Sequence, residues 1–176
     1  MREFYLDKSN LREACKDLRV GDKVYLSGTV YTARDAAHKR IFELIENGSP
    51  LPFDIKGAVI YYAGPTPTPD NLPIGSCGPT TSSRMDPYSP KLYDMGLTAT
   101  IGKGGRSKET IDAIRRNGAV YLCAIGGAGA LAAMSITECE VIAFHDLGCE
   151  SVKKLTFKNF PLIVGIDSLG NKIFKR

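Results

Sequence analysis

The stretch VYLSGTVYTARDAAHKRIFELIENG, residues 24–48, decides the fold. Up to Tyr31 its period is two. Val24, Leu26 and Val30 fall on one side, and Tyr25, Ser27, Thr29 and Tyr31 on the other, as in a strand with one buried face. From Asp35 the period becomes helical. Ala37, Ile41, Leu44 and Ile45 form one stripe, and Asn47-Gly48 supplies the stop. A strand that runs directly into a helix is the unit of an α/β fold.

The alternation continues on both sides. Upstream, Asn10 and Glu13 read as a capping pair for a helical face of Leu11, Ala14, Cys15 and Leu18. Downstream, Gly57–Tyr62 is a short apolar strand, followed by the loop GPTPTPDNLP, whose prolines exclude helix and central strand. Ser89-Pro90 reads as an N-cap and first-turn proline, with Gly96 as the stop. Leu97–Ile101 is a strand, and Ser107 caps a helix that runs to Asn117. Val120–Ala124 and Val141–His145 read as buried strands. Val152–Phe157, Leu162–Ile166 and Lys172–Phe174 complete a β-rich C-terminal part, the last two joined by a turn at Gly170-Asn171. This predicts one α/β domain over residues 1–176.

Composition narrows the possibilities. Hydrophobic residues are 43% and charged residues 24%, enough apolar material for a core without disulfides. A net charge of +4 suits an anionic partner but is too small to indicate nucleic acid, and none is expected. The five cysteines, Cys15, Cys77, Cys123, Cys139 and Cys149, are odd in number and lack a Cys-x-x-Cys pair. That fits a reducing compartment and argues against a complete iron–sulfur or zinc site on this chain. Charges interrupt the N-terminus, so it does not read as a signal peptide. Asn117–Thr137 is uncharged but rich in Gly and Ala, and reads as strand, turn and small-residue helix. A cytoplasmic protein with no membrane association is expected.

Three loops after strands carry polar groups that a fold does not require. TARDAAHKR, residues 32–40, brings Arg34, Asp35 and His38 within one turn. As plain structure, Asp35 would favour the helix N-terminus while Arg34 and His38 would be solvated. GPTTSSRMDPY, residues 78–88, sets Thr80, Thr81, Ser82 and Ser83 before Arg84 and Asp86. Hydroxyls with a guanidinium suit a carboxylate or phosphate, although the same hydroxyls can satisfy a turn. IGKGGRS, residues 101–107, flanks Lys103 with glycines whose amides can converge on an anion; a flexible turn is the alternative. A fourth pattern, Gly127–Ala132 with Asp146 downstream, matches a dinucleotide fingerprint that is common by chance.

TARDAAHKR, GPTTSSRMD and GKGG, in that order, resemble the beta subunit or C-terminal domain of class I fumarases and tartrate dehydratases. The resemblance runs from about Leu18 to the C-terminus and includes LGCESVKKLTFKNFP, residues 147–161. It implies a single layered domain of the swivelling β/β/α type. It also implies an alpha subunit that carries a [4Fe–4S] cluster, with no metal ligand on this chain, and a small dicarboxylate substrate in a homo- or hetero-oligomer. By motif, Arg34, Arg84 and Lys103 would bind substrate carboxylates, Thr80 would be the proton-abstracting hydroxyl with Lys103 beside it, and His38 and Thr81 would support them. Fumarate hydration is the expected reaction, with L-tartrate or methylfumarate as alternative substrates. A non-catalytic anion-binding or assembly module is the alternative of another class.

Overall fold

The alternation of strand and helix is present in the computed structural model, which describes residues 1–125 and 129–174. In chain order the elements are β1 (Glu3–Asp7), α1 (Lys8–Ala14), β2 (Lys23–Thr32), α2 (Asp35–Glu46), β3 (Val59–Tyr61), α3 (Ser89–Asp94), β4 (Ala99–Gly102), α4 (Lys108–Arg116), β5 (Val120–Cys123), α5 (Gly129–Ala133), β6 (Ile136–Ala143) and β7 (Val152–Ile166). Strands β1 to β5 pair in parallel, each beside the next, as their helical crossovers demand. β7 runs antiparallel to β5, and β6 pairs with its flank.

One pairing changes the architecture. β7 also runs antiparallel to β2, from Lys23↔Ile163 to Tyr31↔Lys154. The sheet β2-β3-β4-β5-β7 therefore closes on itself like a barrel. Val24, Leu26, Val59, Tyr61, Ile101, Leu122, Phe157, Phe160 and Val164 gather in one buried cluster on one face of these strands. The alternate residues Ile60, Tyr62 and Tyr121 face a second cluster beneath α2, α3 and α4, with Ile41, Leu92, Tyr93 and Ile114. Strands buried on both faces explain the continuous apolar runs of β3 and β5. In the first cluster Phe157 and Phe160 stack with ring centroids 4.2 Å apart. Tyr61 meets both edge-on, and its hydroxyl donates to the Cys77 carbonyl at 2.6 Å.

Several boundaries differ from the sequence reading. The first helix begins earlier. Asp7 caps it, accepting from Ser9 N at 2.9 Å, while Asn10 Oδ1 accepts from Asp7 N at 3.0 Å. Asn10 is thus the reciprocal half of the box rather than the cap, and Glu13 has no part in it. β1 went unread because its inward side holds only Phe4 and Leu6, and β2 specifies it by pairing. β6 starts at Ile136 and is a mostly exposed flank instead of a buried strand, and His145 opens a short 3-10 helix to Glu150. Residues 152–166 form one strand that bends at Asn159, whose φ is +49°, in place of two. Lys172 only bridges Ile166, so no strand forms at 172–174. Tyr88 holds the N-cap position of α3, which frees the buried Ser89 hydroxyl for other bonds. Of the dinucleotide-like motif, Gly127 and Ala128 lie outside the described residues, and Asp146 pairs with Arg40. No described helix is long and apolar enough to cross a membrane.

Phe160 is 1% exposed at the seam where β7 closes on β2. Phe160→Ala is expected to cost about 3–5 kcal/mol, by lost transfer energy and the cavity left behind, measured by urea unfolding.

Candidate active site

Because β2, β3, β4 and β5 are parallel, Thr32, Tyr61, Gly102 and Cys123 end at a common edge. Ligands of parallel α/β sheets bind at such an edge, where loops and helix N-termini converge. The three loops marked in the sequence all start there.

Residues 79–82 are fixed by the ends of two strands. Pro79 bridges Ala63, and Thr80 N donates to the Tyr62 carbonyl at 2.7 Å, just beyond β3. Thr81 then bridges Lys103, and Ser82 N donates to the Lys103 carbonyl at 2.9 Å, just beyond β4. Thr80 and Lys103 therefore sit on adjoining backbone. Gly102 permits the approach, because a Cβ there would overlap the Ser82 hydroxyl. That hydroxyl is 2.9 Å from Tyr121 Oη, which donates to the Gly104 carbonyl.

Arg34 and Arg84 meet around one carboxylate. Arg84 Nε donates to Asp35 Oδ1 at 2.9 Å, and Arg34 Nε lies 3.9 Å from Asp35 Oδ2. Asp35 opens α2, whose N-terminus favours its charge. Arg84 and Lys103 are exposed, Thr80 is half-buried and Thr81 is exposed. Among the described residues Lys103 has no carboxylate partner. The loops thus bring Arg34, Thr80, Arg84 and Lys103 to one rim.

His38 is elsewhere. It is fully buried, and its ring lies against Tyr62 and Tyr88. Its Nδ1 is 2.8 Å from the Arg34 carbonyl, so Nδ1 carries the proton and Nε2 is left buried without a partner. Desolvation lowers its pKa to about 4, against a weaker opposing effect of that carbonyl. A neutral histidine beneath the rim supports the backbone of Arg34.

The residue that organises the site went unread, although it lay inside the quoted loop IGKGGRS. The Arg106 side chain is fully buried. It donates to Asp86 Oδ1 at 2.7 Å, Thr100 Oγ1 at 3.0 Å, Tyr62 Oη at 3.2 Å and Ser89 Oγ at 2.6 Å. The rings of Tyr62 and Tyr121 lie 5.2 and 5.0 Å from its guanidinium carbon. Asp86 in turn accepts from Ser107 N at 2.8 Å and from the Thr110 hydroxyl at 3.0 Å, which ties it to the Ser107 cap of α4. A charged pair in two separate loops gives no local sequence signal; only their meeting in space reveals it.

A cavity of about 880 Å³ adjoins the rim, lined among others by Thr81, Ser83, Gly104, Ile111, Lys172 and Phe174. Arg34, Thr80, Arg84 and Lys103 do not line it, so the charged cluster is an open surface beside the cavity. Among the described residues no three His, Cys, Asp or Glu side chains gather as a metal-ligand set.

The family described as "Fumarase C-terminus" matches residues 1–176. "Fumarate hydratase 2" of Leishmania major is 41% identical over 168 residues, covering 94% of this chain and 30% of that protein. "Fumarate hydratase class I, anaerobic" of Escherichia coli is 42% identical over 159 residues, covering 89% of this chain and 29% of that protein. "Putative L(+)-tartrate dehydratase subunit beta" of Methanocaldococcus jannaschii is 43% identical over 179 residues, covering 98% and 91%. The chain spans less than a third of the fumarate hydratases and nine-tenths of the beta subunit.

Two outcomes test the geometry. Asp86→Ala leaves the Arg106 guanidinium buried and unpaired, so a loss of about 3–5 kcal/mol is expected in denaturant unfolding. Acid should also weaken the fold through His38. Its folded pKa of about 4 lies below the unfolded value of 6.5, so the unfolded chain binds the extra proton first. Its contribution is complete above pH 6.5 and falls by about 3 kcal/mol as pH drops from 6.5 to 4. Across that window wild type should lose about 3 kcal/mol more stability than His38→Phe, measured by denaturant unfolding at each pH.

Proposed function

The chain belongs to the fumarase C-terminus family, and from that premise we propose that it is the beta subunit of a hydro-lyase that interconverts fumarate and L-malate. The observations that support this reading are that Arg34 and Arg84 share the Asp35 carboxylate and that Thr81, next to Thr80, pairs with Lys103. The swivelling β/β/α type is the fold we assign to the closed sheet and its helices, as a single unit of residues 1–176, and the cytoplasm the compartment. A cation-rich rim beside a hydroxyl suits a dicarboxylate better than a neutral ligand.

The cysteines of this chain do not fit an iron–sulfur cluster. Cys15 and Cys77 are buried, the burial pushing their thiols up to about 11 and about 12, and no ligand set forms among the described residues. We therefore assign the [4Fe–4S] cluster to a separate alpha subunit, where it would act as Lewis acid at the substrate hydroxyl. This chain's share is binding and charge. Arg34 and Arg84 hold the carboxylates in a fixed orientation. Removing a proton beside a carboxylate concentrates negative charge there, and Lys103 stabilises that charge more than the ground state. Thr80 would take the proton as its alkoxide, formed by loss of the hydroxyl proton to solvent, and the Lys103 ammonium would favour that deprotonated form.

A second reading has its own support. Among the three relatives named above, the one whose length this chain matches is named for tartrate dehydratase, so L-tartrate is the substrate to compare first. Co-expression with a candidate alpha subunit, anaerobic cluster reconstitution and assay of malate and tartrate dehydration will separate the two. Malate turnover by the assembled enzyme is expected. Thr80→Ala and Lys103→Ala should each lower it by about 10²–10³-fold while leaving assembly intact. A cluster-loaded complex that turns over neither substrate, or a Thr80→Ala variant with full activity, overturns the proposal.

A further inference from the structure

The segment Gly148–Ser151, from the kinked end of the 3-10 helix His145–Glu150 to the residue before β7, is built around a buried cation. Lys153 is 7% exposed. Its Nζ lies 3.3 Å from the Gly148 carbonyl, 3.1 Å from that of Cys149, 3.2 Å from that of Ser151 and 2.7 Å from Ser151 Oγ. Among the described residues no carboxylate pairs with it. Burial pulls its pKa down, the expected cost of an ammonium held by neutral acceptors alone. In return three carbonyl dipoles are drawn to one point, which closes the turn.

That turn is fastened to the site. Thr32, the last residue of β2, donates its hydroxyl to the Ser151 carbonyl at 3.3 Å and accepts from Lys153 N at 3.0 Å. Glu150 consequently faces the start of α2. Its Oε1 lies 3.5 Å from Ala36 N and 3.8 Å from Arg34 Nε. From the other side, Gly64 confines Arg34. A Cβ there would stand 3.1 Å from the Cys149 carbonyl and 3.2 Å from Arg34 Cδ. Arg34 Nε is buried without a hydrogen-bond partner, at nearly equal distance from Glu150 and Asp35. Two carboxylates thus flank the inner edge of the guanidinium, and its terminal nitrogens remain for a ligand.

We propose that Glu150, braced by the buried ammonium of Lys153, is a positioning residue that aims Arg34 at a substrate carboxylate and offsets part of its charge. The substrate half of this statement rests on the proposed function; the positioning half does not. Lys153 and Glu150 act in series, through one turn, on one guanidinium.

The test has two arms. On the full chain labelled with 15N, exchange of the Arg34 Nε proton with solvent is followed by NMR. Glu150→Ala and Lys153→Met should each speed it about tenfold, and Lys153→Arg, which restores a buried cation, should speed it less. On the assembled enzyme, each variant should raise KM about tenfold with kcat within twofold, the pattern of a lost uniform contact. The double variant should be no worse than the poorer single one. A merely structural role would lower melting temperature without that split. If Lys153→Met does not fold, the isosteric Glu150→Gln carries both arms. Unchanged exchange in folded Glu150 variants, or a fall in kcat at constant KM, overturns the proposal. Faster exchange with no dicarboxylate turnover by the wild-type assembly leaves the positioning intact and rejects the proposed function instead.

Discussion

The ion pair between Arg106 and Asp86 fixes the geometry on which the site depends. The guanidinium is fully buried, and Asp86 is its only carboxylate partner among the described residues. Separating the two would leave a charge in the interior with no counterpart, so neither loop can move without the other. The pair also recruits its surroundings. Arg106 reaches Thr100 on β4, Tyr62 beyond β3 and Ser89 on α3, while Asp86 holds Ser107, the N-cap of α4. Two loops that might each sample many conformations are joined into one body. Thr80, Arg84 and Lys103 ride on that body, and their mutual placement follows from that pair, which also lines the neighbouring cavity.

Arg106 and Lys103 lie three residues apart in one glycine-rich loop, and their environments are opposite. Arg106 is enclosed and its Nε, Nη1 and Nη2 each find an acceptor, whereas Lys103 stands exposed with no carboxylate beside it among the described residues. Guanidinium chemistry suits the inner position, since its planar fork can satisfy four partners and two aromatic faces together. An ammonium suits the outer one, where a compact charge meets a ligand. Composition alone cannot assign these roles, because both residues contribute the same formal charge.

This contrast explains what the sequence could and could not disclose. Local periodicity marked β2, α2, α4 and β5 nearly to their ends, because each has one face whose burial is written in its own residues. The three site loops were legible because each follows a strand and carries polar groups without a local structural duty. Non-local features were hidden. The closure of β2 on β7 joins opposite ends of the chain, and β1 exists because β2 offers it an edge. The Arg106–Asp86 pair and the Glu150–Arg34 approach likewise bring together residues from separate loops. His38 reads as a surface group from its charged neighbours, yet the helix turns it inward onto Tyr62 and Tyr88.

The charges at the rim do not balance by themselves. Arg34, Arg84 and Lys103 are three cations, and Asp35 and Glu150 are the two carboxylates set against them. One net positive charge is a weak counterpart for a dianion, and at an open edge water would screen it further. Such a rim gains strength only when another surface covers it, excludes water and adds charge of its own. Under the proposed function that surface is the alpha subunit with its cluster. The two carboxylates then have a definite purpose. Without them the uncovered rim would be three unscreened cations pressed together, and their repulsion would splay the side chains that the dicarboxylate must find in place. The two carboxylates would then keep the cations ordered until the covering surface arrives.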